Sequence, residues 1–330
     1  MDMNKQEIRR LDVVVLVLVI GITTMLCNLV TPFLFNHIPT DKYRTARILD
    51  KIHEKGFAPE VVVFGSSRAM AAIDCNQMTK ELNKEVINFS STGQSHVESS
   101  FYYSKLPPSV KTVVQVIYPP IVAESGEKEQ VPSYVLNNFL MCGYEVDDDI
   151  IRMNHLIDLS GFNKNRYLSA YESRGSIFLP ALTNYLVAGD KEAASSFKFC
   201  NSYLTEKHPL YERTLEQAKE RSCVGKNVRV DINVIETLNS YSLYLNQKGI
   251  KMYLVLMPNN PDKIEYTENQ KSMLLEVMHK KIKNAVILNY IDTISDRTLF
   301  YDAEHMNKKG ARKFTTLLDN DLLKFNNMMP

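Results

Sequence analysis

The sequence predicts an α/β protein, a three-layer sandwich built around a mostly parallel five-stranded sheet. Short apolar runs rich in β-branched residues recur along the chain, as is typical of strands buried on both faces. Helical patterns separate most of these runs, and this alternation favours a parallel sheet with helices packed against it. The predicted strands are 60–64, 86–89, 112–118, 251–257 and 285–288.

The helices follow from apolar periodicity and from capping residues at their starts. Asp74 and Gln77 are spaced as in a capping box, and Asn307 is a natural N-cap in front of an amphipathic stretch. Helices are therefore expected over 74–82, 234–247, 267–282 and 308–323. The segment of about 125–230 breaks the alternation, with helical patterns and many tyrosines, and we interpret it as a helical insertion between the third and fourth strands.

The N-terminal region carries a long uncharged run. No Asp, Glu, Lys or Arg occurs between Asp12 and Asp41, and residues 13–35 are almost wholly apolar. A helix that crosses a membrane needs about 20 such residues. A cleaved signal peptide would have a shorter apolar region ending at a small-x-small site, so an uncleaved signal anchor fits better. We expect residues 1–40 to form a short cytoplasmic tail and one transmembrane helix, and residues 41–330 to form one domain that contains the insertion.

The positive-inside rule does not fix the orientation of this anchor, because basic residues stand on both sides of the run. A very short N-terminal tail most simply stays in the cytoplasm, which predicts a single-pass protein of the cell membrane with its large domain outside the cytoplasm. The 39 basic and 38 acidic residues nearly cancel, which gives no electrostatic reason to expect nucleic acid as a partner. The five cysteines show no metal-ligand spacing, and neither a metal nor a cofactor is predicted.

Three residues from two distant parts of the sequence have the chemistry of a serine hydrolase. Ser67 follows the first predicted strand, and Asp302 and His305 lie three residues apart near the end of the chain. A hydroxyl is a poor nucleophile at neutral pH, so it needs a base to accept its proton and a third group to orient that base. We predict Ser67 as the nucleophile, His305 as the base and Asp302 as the orienting carboxylate. Ser66 is the alternative attacking residue.

Other polar residues near the predicted strand ends allow more than one interpretation. Arg68, beside the nucleophile, either pairs with an acid at the sheet edge or binds an anionic acceptor polymer. His96 is either structural or an alternative base or metal ligand. Asn259 and Asn260 form a turn after the fourth strand or supply an amide to an oxyanion.

The motifs resemble those of the SGNH (GDSL-type) hydrolase superfamily. Residues 64–68, Phe-Gly-Ser-Ser-Arg, are similar to the family's first block, with Ser67 at the nucleophile position. Residues 88–95 are similar to the second block, in which a glycine amide, here that of Gly93, helps to bind the oxyanion together with the amide of the nucleophile. Residues 302–310 closely resemble the last block, which carries the family's Asp and His. The third block departs from the family, since Tyr-Pro-Pro at 118–120 replaces Gly-x-Asn-Asp.

The Gly-Ser-Ser variant, the anchor and the insertion look more like the DltD-like and alginate-acetylation branches than like secreted lipases. The resemblance implies a serine O-acyltransferase or esterase that acts on a cell-envelope polysaccharide or a teichoic-acid-like acceptor. It also implies a membrane-bound O-acyltransferase (MBOAT-type) protein as a partner. The alternative is a non-catalytic, membrane-anchored accessory protein that docks such an acyltransferase or holds a glycan.

Overall fold

The computed structural model describes residues 12–23, 25, 48–91, 93–119, 121–123, 147–154, 228–263 and 266–327. Its central feature is a sheet of five strands in the order β2-β1-β3-β6-β7, with every neighbouring pair parallel. These strands are β1 (Val61–Phe64), β2 (Val86–Asn88), β3 (Thr112–Ile117), β6 (Lys251–Leu256) and β7 (Ala285–Asn289). The predicted α/β class and strand positions are confirmed, and the five-stranded sheet is all-parallel.

Two short strands form a separate antiparallel pair, β4 (Ile121–Ala123) with β5 (Val228–Val230). The pair brings together two points of the chain at the borders of the predicted insertion of about 125–230. Most of that insertion, residues 124–146 and 155–227, lies outside the described residues.

All but one of the seven helices that follow begin where a side chain satisfies free main-chain amides of the first turn, the exception being the helix that starts at Asp148. They are α1 (Ser67–Ala72), α2 (Cys75–Leu82), α3 (His96–Tyr103), α4 (Asp148–Met153), α5 (Ile232–Gln247), α6 (Glu268–Lys281) and α7 (Lys308–Asn327). Asn307 caps α7 as predicted, because its side-chain oxygen accepts from the amides of Lys309 and Gly310 at 3.0 Å each. Asp74 caps α2 by accepting from the main-chain amide of Gln77, but the predicted capping box is wrong there, because the side-chain nitrogen of Gln77 donates to α7.

Two hydrophobic cores cover the two faces of the sheet, because alternate side chains of each strand point in opposite directions. Val62 and Phe64 belong to the core under α3, α5 and α6. Val61 and Val63 belong to the core on the other face, under α1, α2 and α7. The result is helix, sheet and helix in three layers. Since all five strands are parallel, their carboxyl ends share one edge, and the loops that follow them converge there.

Residues 12–23 and 25, within the predicted anchor, are helical. Residues 1–11, 24 and 26–47 lie outside the described residues, and they include the predicted cytoplasmic tail and the second half of the predicted span. Among the described residues, no helix reaches the length and apolar character needed to cross a membrane.

One buried acid in α7 has no compensating contact. Asp319 is 2% exposed, and neither of its carboxylate oxygens has a hydrogen-bond partner among the described residues. Burial raises the pKa of Asp319 to about 7, and the nearby charges of Glu81 and Asp74 add to this effect. Because an unfolded aspartate has a pKa of about 3.9, the folded chain holds an extra proton between roughly pH 4 and 7. Stability therefore falls as the pH rises through this window.

We expect Asp319→Asn to remove this loss of stability, because the amide carries no charge to be buried. Thermal unfolding of the full-length chain at a series of pH values tests this. The melting temperature of the variant should rise relative to the wild type as the pH increases from 5 to 8. Glu276→Gln, at an exposed position of α6, is the control and should show no such trend. Parallel wild-type and Asp319→Asn curves would contradict this account of Asp319.

Candidate active site

The nucleophile candidate lies where β1 ends and α1 begins. Ser67 is the first residue of α1, and its Oγ lies 2.9 Å from Nε2 of His305. Ser66 is the N-cap of the same helix, and its hydroxyl accepts from the amide of Arg68 at 3.4 Å. The geometry therefore separates the two serines, because the hydroxyl of Ser67 contacts the imidazole whereas that of Ser66 caps a helix.

His305 and Asp302 lie on a short turn between β7 and α7. Phe300 and Met306 pair across the base of the turn as an isolated antiparallel bridge, and the amide of Tyr301 donates to the carbonyl of His305 at 2.9 Å. Nδ1 of His305 lies 2.8 Å from Oδ2 of Asp302. A proton on Nδ1 that points to this carboxylate leaves Nε2 free to accept from the Ser67 hydroxyl.

The second oxygen of Asp302 holds the turn itself. Oδ1 accepts from the amides of Glu304 and His305, at 2.7 Å each. Burial raises the pKa of Asp302, but the hydrogen bond and charge of His305, together with these two amides, outweigh it and lower the pKa overall. The carboxylate is thus kept ionised while it contacts the imidazole.

Tyr301 packs against His305, a contact that no sequence motif marks. Its ring stacks on the imidazole of His305 with centroids 5.4 Å apart and planes tilted by 26°. Burial, followed by the charge of Asp302, raises the pKa of Tyr301 to about 12. The phenol is therefore neutral at physiological pH, and it limits the orientations open to the imidazole without adding a charge.

Gln94 joins the loops that follow β1 and β2. It is buried, and its side-chain oxygen accepts from the amide of Gly65 at 3.0 Å while its nitrogen donates to the carbonyl of Phe89 at 3.3 Å. The amide of Ser91 also donates to the carbonyl of Gly65 at 3.1 Å. These bonds fix the loop that carries Gly93 relative to the nucleophile turn.

The two predicted oxyanion donors are main-chain amides on these loops. The amide of Ser67 belongs to the first turn of α1, where amides have no partner within the helix. Gly93 is exposed and has φ of +70°, a left-handed conformation that favours glycine. In place of the family's third block, Tyr118 follows β3, half exposed, with its ring 5.7 Å from the guanidinium carbon of Arg68.

Arg68 is held by the loop after β6. Its side chain donates through Nη2 to the carbonyl of Pro258 at 3.2 Å and to the side-chain oxygen of Asn259 at 2.8 Å. Arg68 is only 8% exposed, and its Nε has no hydrogen-bond partner among the described residues. Arg68 thus joins α1 to the loop after β6.

The loop 257–263 also contacts the Asp302–His305 turn. Asn260 is fully buried, and its amide donates to the carbonyl of Asp302 at 3.1 Å. Lys263 forms an ion pair with Glu304 at 2.8 Å. These contacts give Asn259 and Asn260 structural partners, as expected for a turn. The roles of Lys263 and Glu304 were not evident from the sequence, because no motif marks a contact between residues 41 positions apart.

A cleft of about 90 Å³ opens beside the nucleophile turn. His96, the first residue of α3, lines it, whereas the contact with Ser67 is made by His305. The other lining residues are Ser66, Arg68, Gln94, Ser95, Val116, Ile117, Tyr118 and Met257. Within the described residues, no group of three or more His, Cys, Asp or Glu side chains is arranged to hold a metal ion.

The comparisons with known proteins leave the activity open. Residues 185–327 are similar to a protein family of unknown function. The matched part is less than half of the chain, and it includes Asp302 and His305 but not Ser67. No curated protein matches the chain.

We expect Gly65→Ala to disturb the nucleophile turn, because a Cβ at this position would lie 2.8 Å from Cβ of Ala69 and 2.9 Å from Cβ of Val116. Overpacking of this kind typically costs about 1–3 kcal/mol of folding stability. Denaturant unfolding measures the loss. The double variant Gly65→Ala/Ala69→Gly should be less destabilised than the sum of the two single variants, since one contact is removed. Strict additivity would show that this close contact is not the cause.

Proposed function

We propose that the chain is an acyl-transfer enzyme that works outside the cytoplasm through Ser67, His305 and Asp302. The observation that carries the proposal is the continuous hydrogen-bond chain from Ser67 Oγ to His305 Nε2 and from His305 Nδ1 to Asp302, at 2.9 and 2.8 Å. The fold, the order of the motifs and their positions at strand ends support an SGNH-like identity. The proposed class of acceptor substrate rests on the resemblance to the DltD-like and alginate-acetylation branches.

The reaction begins when the Ser67 hydroxyl attacks an ester or thioester carbonyl and passes its proton to Nε2 of His305. The tetrahedral intermediate collapses as the bond to the leaving group breaks, and the imidazolium returns the proton to that group. An acceptor hydroxyl then gives its proton to His305 and attacks the acyl-serine, and the imidazolium returns that proton to Ser67 Oγ as its bond to the acyl carbon breaks. Water in place of the acceptor makes the same site an esterase.

The amides of Ser67 and Gly93 are the proposed donors to the oxyanion. The side-chain donor expected from the family's third block is absent, since Tyr118 stands in that position. Loss of one oxyanion donor typically lowers the rate by about 10²–10³-fold. Tethering of the enzyme and of its acyl donor to one membrane raises their effective concentration, which makes a slow transferase sufficient.

The membrane anchor is the second part of the proposal. The uncharged run of residues 13–35 supports it, and the apolar side chains of residues 13–20 and 22 are all more than half exposed. Such a surface is costly in water and favourable in a bilayer. The anchor keeps the domain beside a membrane-bound O-acyltransferase (MBOAT-type) protein that supplies the acyl group across the membrane.

The proposed acceptor is an anionic polymer of the cell envelope, such as a polysaccharide or a teichoic-acid-like chain. Arg68 supports this choice, because this cation lines the cleft next to Ser66 and is held there by the loop after β6. A guanidinium shielded from water binds carboxylate or phosphate oxygens strongly.

The competing function is that of a non-catalytic accessory protein that uses the same fold to dock an acyltransferase or hold a glycan. The contact between Ser67 and His305 favours the enzyme, since a binding protein has no need for a base placed on a serine hydroxyl.

We expect Ser67→Ala to lower polymer acylation or ester hydrolysis by several orders of magnitude, because triad members act as a unit. Its free energy of unfolding should change by no more than about 1 kcal/mol, since only one hydroxyl is lost. Assays of polymer acylation in cells and of ester hydrolysis by the purified chain measure activity, and denaturant unfolding measures stability. Ser66→Ala is the matched control and should keep substantial activity. A folded Ser67→Ala protein that supports full acylation in cells would favour the accessory function.

The anchor predicts a specific pattern of protease protection. In intact cells with a permeabilised outer layer, added protease should digest the domain after residue 40 and spare an epitope at the N-terminus. Immunoblots against both ends of the chain provide the measurement, and a cytoplasmic protein serves as the integrity control. Protection of the large domain would refute its assignment outside the cytoplasm, and with it the proposed polymer substrate.

A further inference from the structure

We propose that Lys263 and Glu304 are positioning residues that set the electrostatic potential at the base His305. The inference deepens the proposed function and rests on it for its enzymatic meaning. Glu304 occupies the turn between Asp302 and His305, and Lys263 comes from the loop after β6. Neither residue is needed for the hydrogen-bond chain of Ser67, His305 and Asp302.

The ion pair between the two residues is well shielded from solvent. Nζ of Lys263 lies 2.8 Å from Oε1 of Glu304, and the side chains are 1% and 30% exposed, respectively. A buried ammonium group is costly unless an anion accompanies it, so the pairing is more than a surface contact. The amide of Lys263 also donates to the carbonyl of Asn260 at 2.8 Å, and this bond fixes the start of the side chain.

Glu304 is electrically coupled to the candidate site. Burial alone raises the pKa of Glu304, but the hydrogen bond and charge of Lys263, together with the charges of Arg68 and His305, outweigh burial and lower the pKa overall. The carboxylate therefore stays ionised next to the base. Without Lys263, this second negative charge would join that of Asp302 in stabilising the imidazolium, the form of His305 that cannot accept a proton from Ser67.

Among the other charged and titratable groups around His305, Arg68 also acts on Glu304 through its charge, and the remaining groups have different contacts. Asp302 is hydrogen-bonded to the imidazole, and Tyr301 is a neutral phenol stacked on it. Arg68, from α1, is bound to the loop after β6. Asp262, on the same loop as Lys263, forms an ion pair with Arg297 at 3.4 Å, where both side chains are more exposed. Lys263 is thus the cation that forms the ion pair with Glu304.

The test is a titration of His305 in the full-length chain, followed by NMR with isotope-labelled histidine. The His305 signal is assigned from its absence in His305→Gln. Lys263→Met should move the titration midpoint of His305 to higher pH, and Glu304→Gln should move it to lower pH, by roughly half a unit to one unit each. The double variant should titrate close to the wild type, because both members of the pair are neutral, and Lys263→Arg should retain the wild-type midpoint.

Shifts of opposite sign in the two single variants support the proposal, because loss of a merely structural contact does not produce them. Unchanged midpoints in both variants overturn it. If Lys263→Met does not fold, Glu304→Gln decides by itself through the direction of its shift. The titration needs no turnover, so an absence of Ser67-dependent activity in the wild type would refute the proposed function separately. Where activity is present, the acid limb of the pH profile of kcat/KM should move to higher pH in Lys263→Met and to lower pH in Glu304→Gln.

Discussion

The hydrogen bond between Ser67 Oγ and His305 Nε2 joins two residues that are 238 positions apart in the chain. It depends on the parallel sheet, because only in a parallel sheet do the ends of β1, β2, β3 and β6 meet at one edge. Ser67 then projects from the β1–α1 turn, and α7 with its cap at Asn307 fixes the far side of the His305 turn. The two cores bury both faces of the sheet and so hold these strand ends in place.

The loops at that edge are joined by buried polar contacts, which are directional and therefore define positions more narrowly than apolar packing does. Gln94 links the β1 and β2 loops, whereas Arg68 and Asn260 link the β6 loop to α1 and to the Asp302–His305 turn. The β6 loop thus contacts both halves of the candidate site. A cation in this loop, Lys263, also balances the acid Glu304 of the turn. The same short segment therefore contacts the turn of His305 and, in our proposal, also sets the charge near this residue.

The sheet and the hydrogen-bond chain of Ser67, His305 and Asp302 were accessible from the sequence because they depend on local signals. The β-branched runs, the cap at Asn307 and the Asp-x-x-His spacing each report on a few neighbouring residues. The contacts of Gln94 and Lys263 were not accessible, because they join segments whose relative position is set by packing of the whole sheet. The stacking of Tyr301 on His305 is local, but it depends on the bridge between Phe300 and Met306, which no sequence motif marks. Gln77 illustrates the same limit. Its spacing from Asp74 is that of a capping box, but its side chain donates to α7 instead. Asp319 shows that an amphipathic pattern does not reveal a charge on the buried face.

Covalent catalysis at Ser67 is the central claim, and the acyl-enzyme is its most direct test. The full-length chain is incubated with an activated acetyl ester, quenched in acid, digested and analysed by mass spectrometry with fragmentation of the peptide that contains both serines. An acetyl group on Ser67, absent from the Ser67→Ala variant and formed much more slowly by His305→Gln, is the predicted result. An acetyl group on Ser66, or no adduct on either serine while the ester is turned over, would contradict the account.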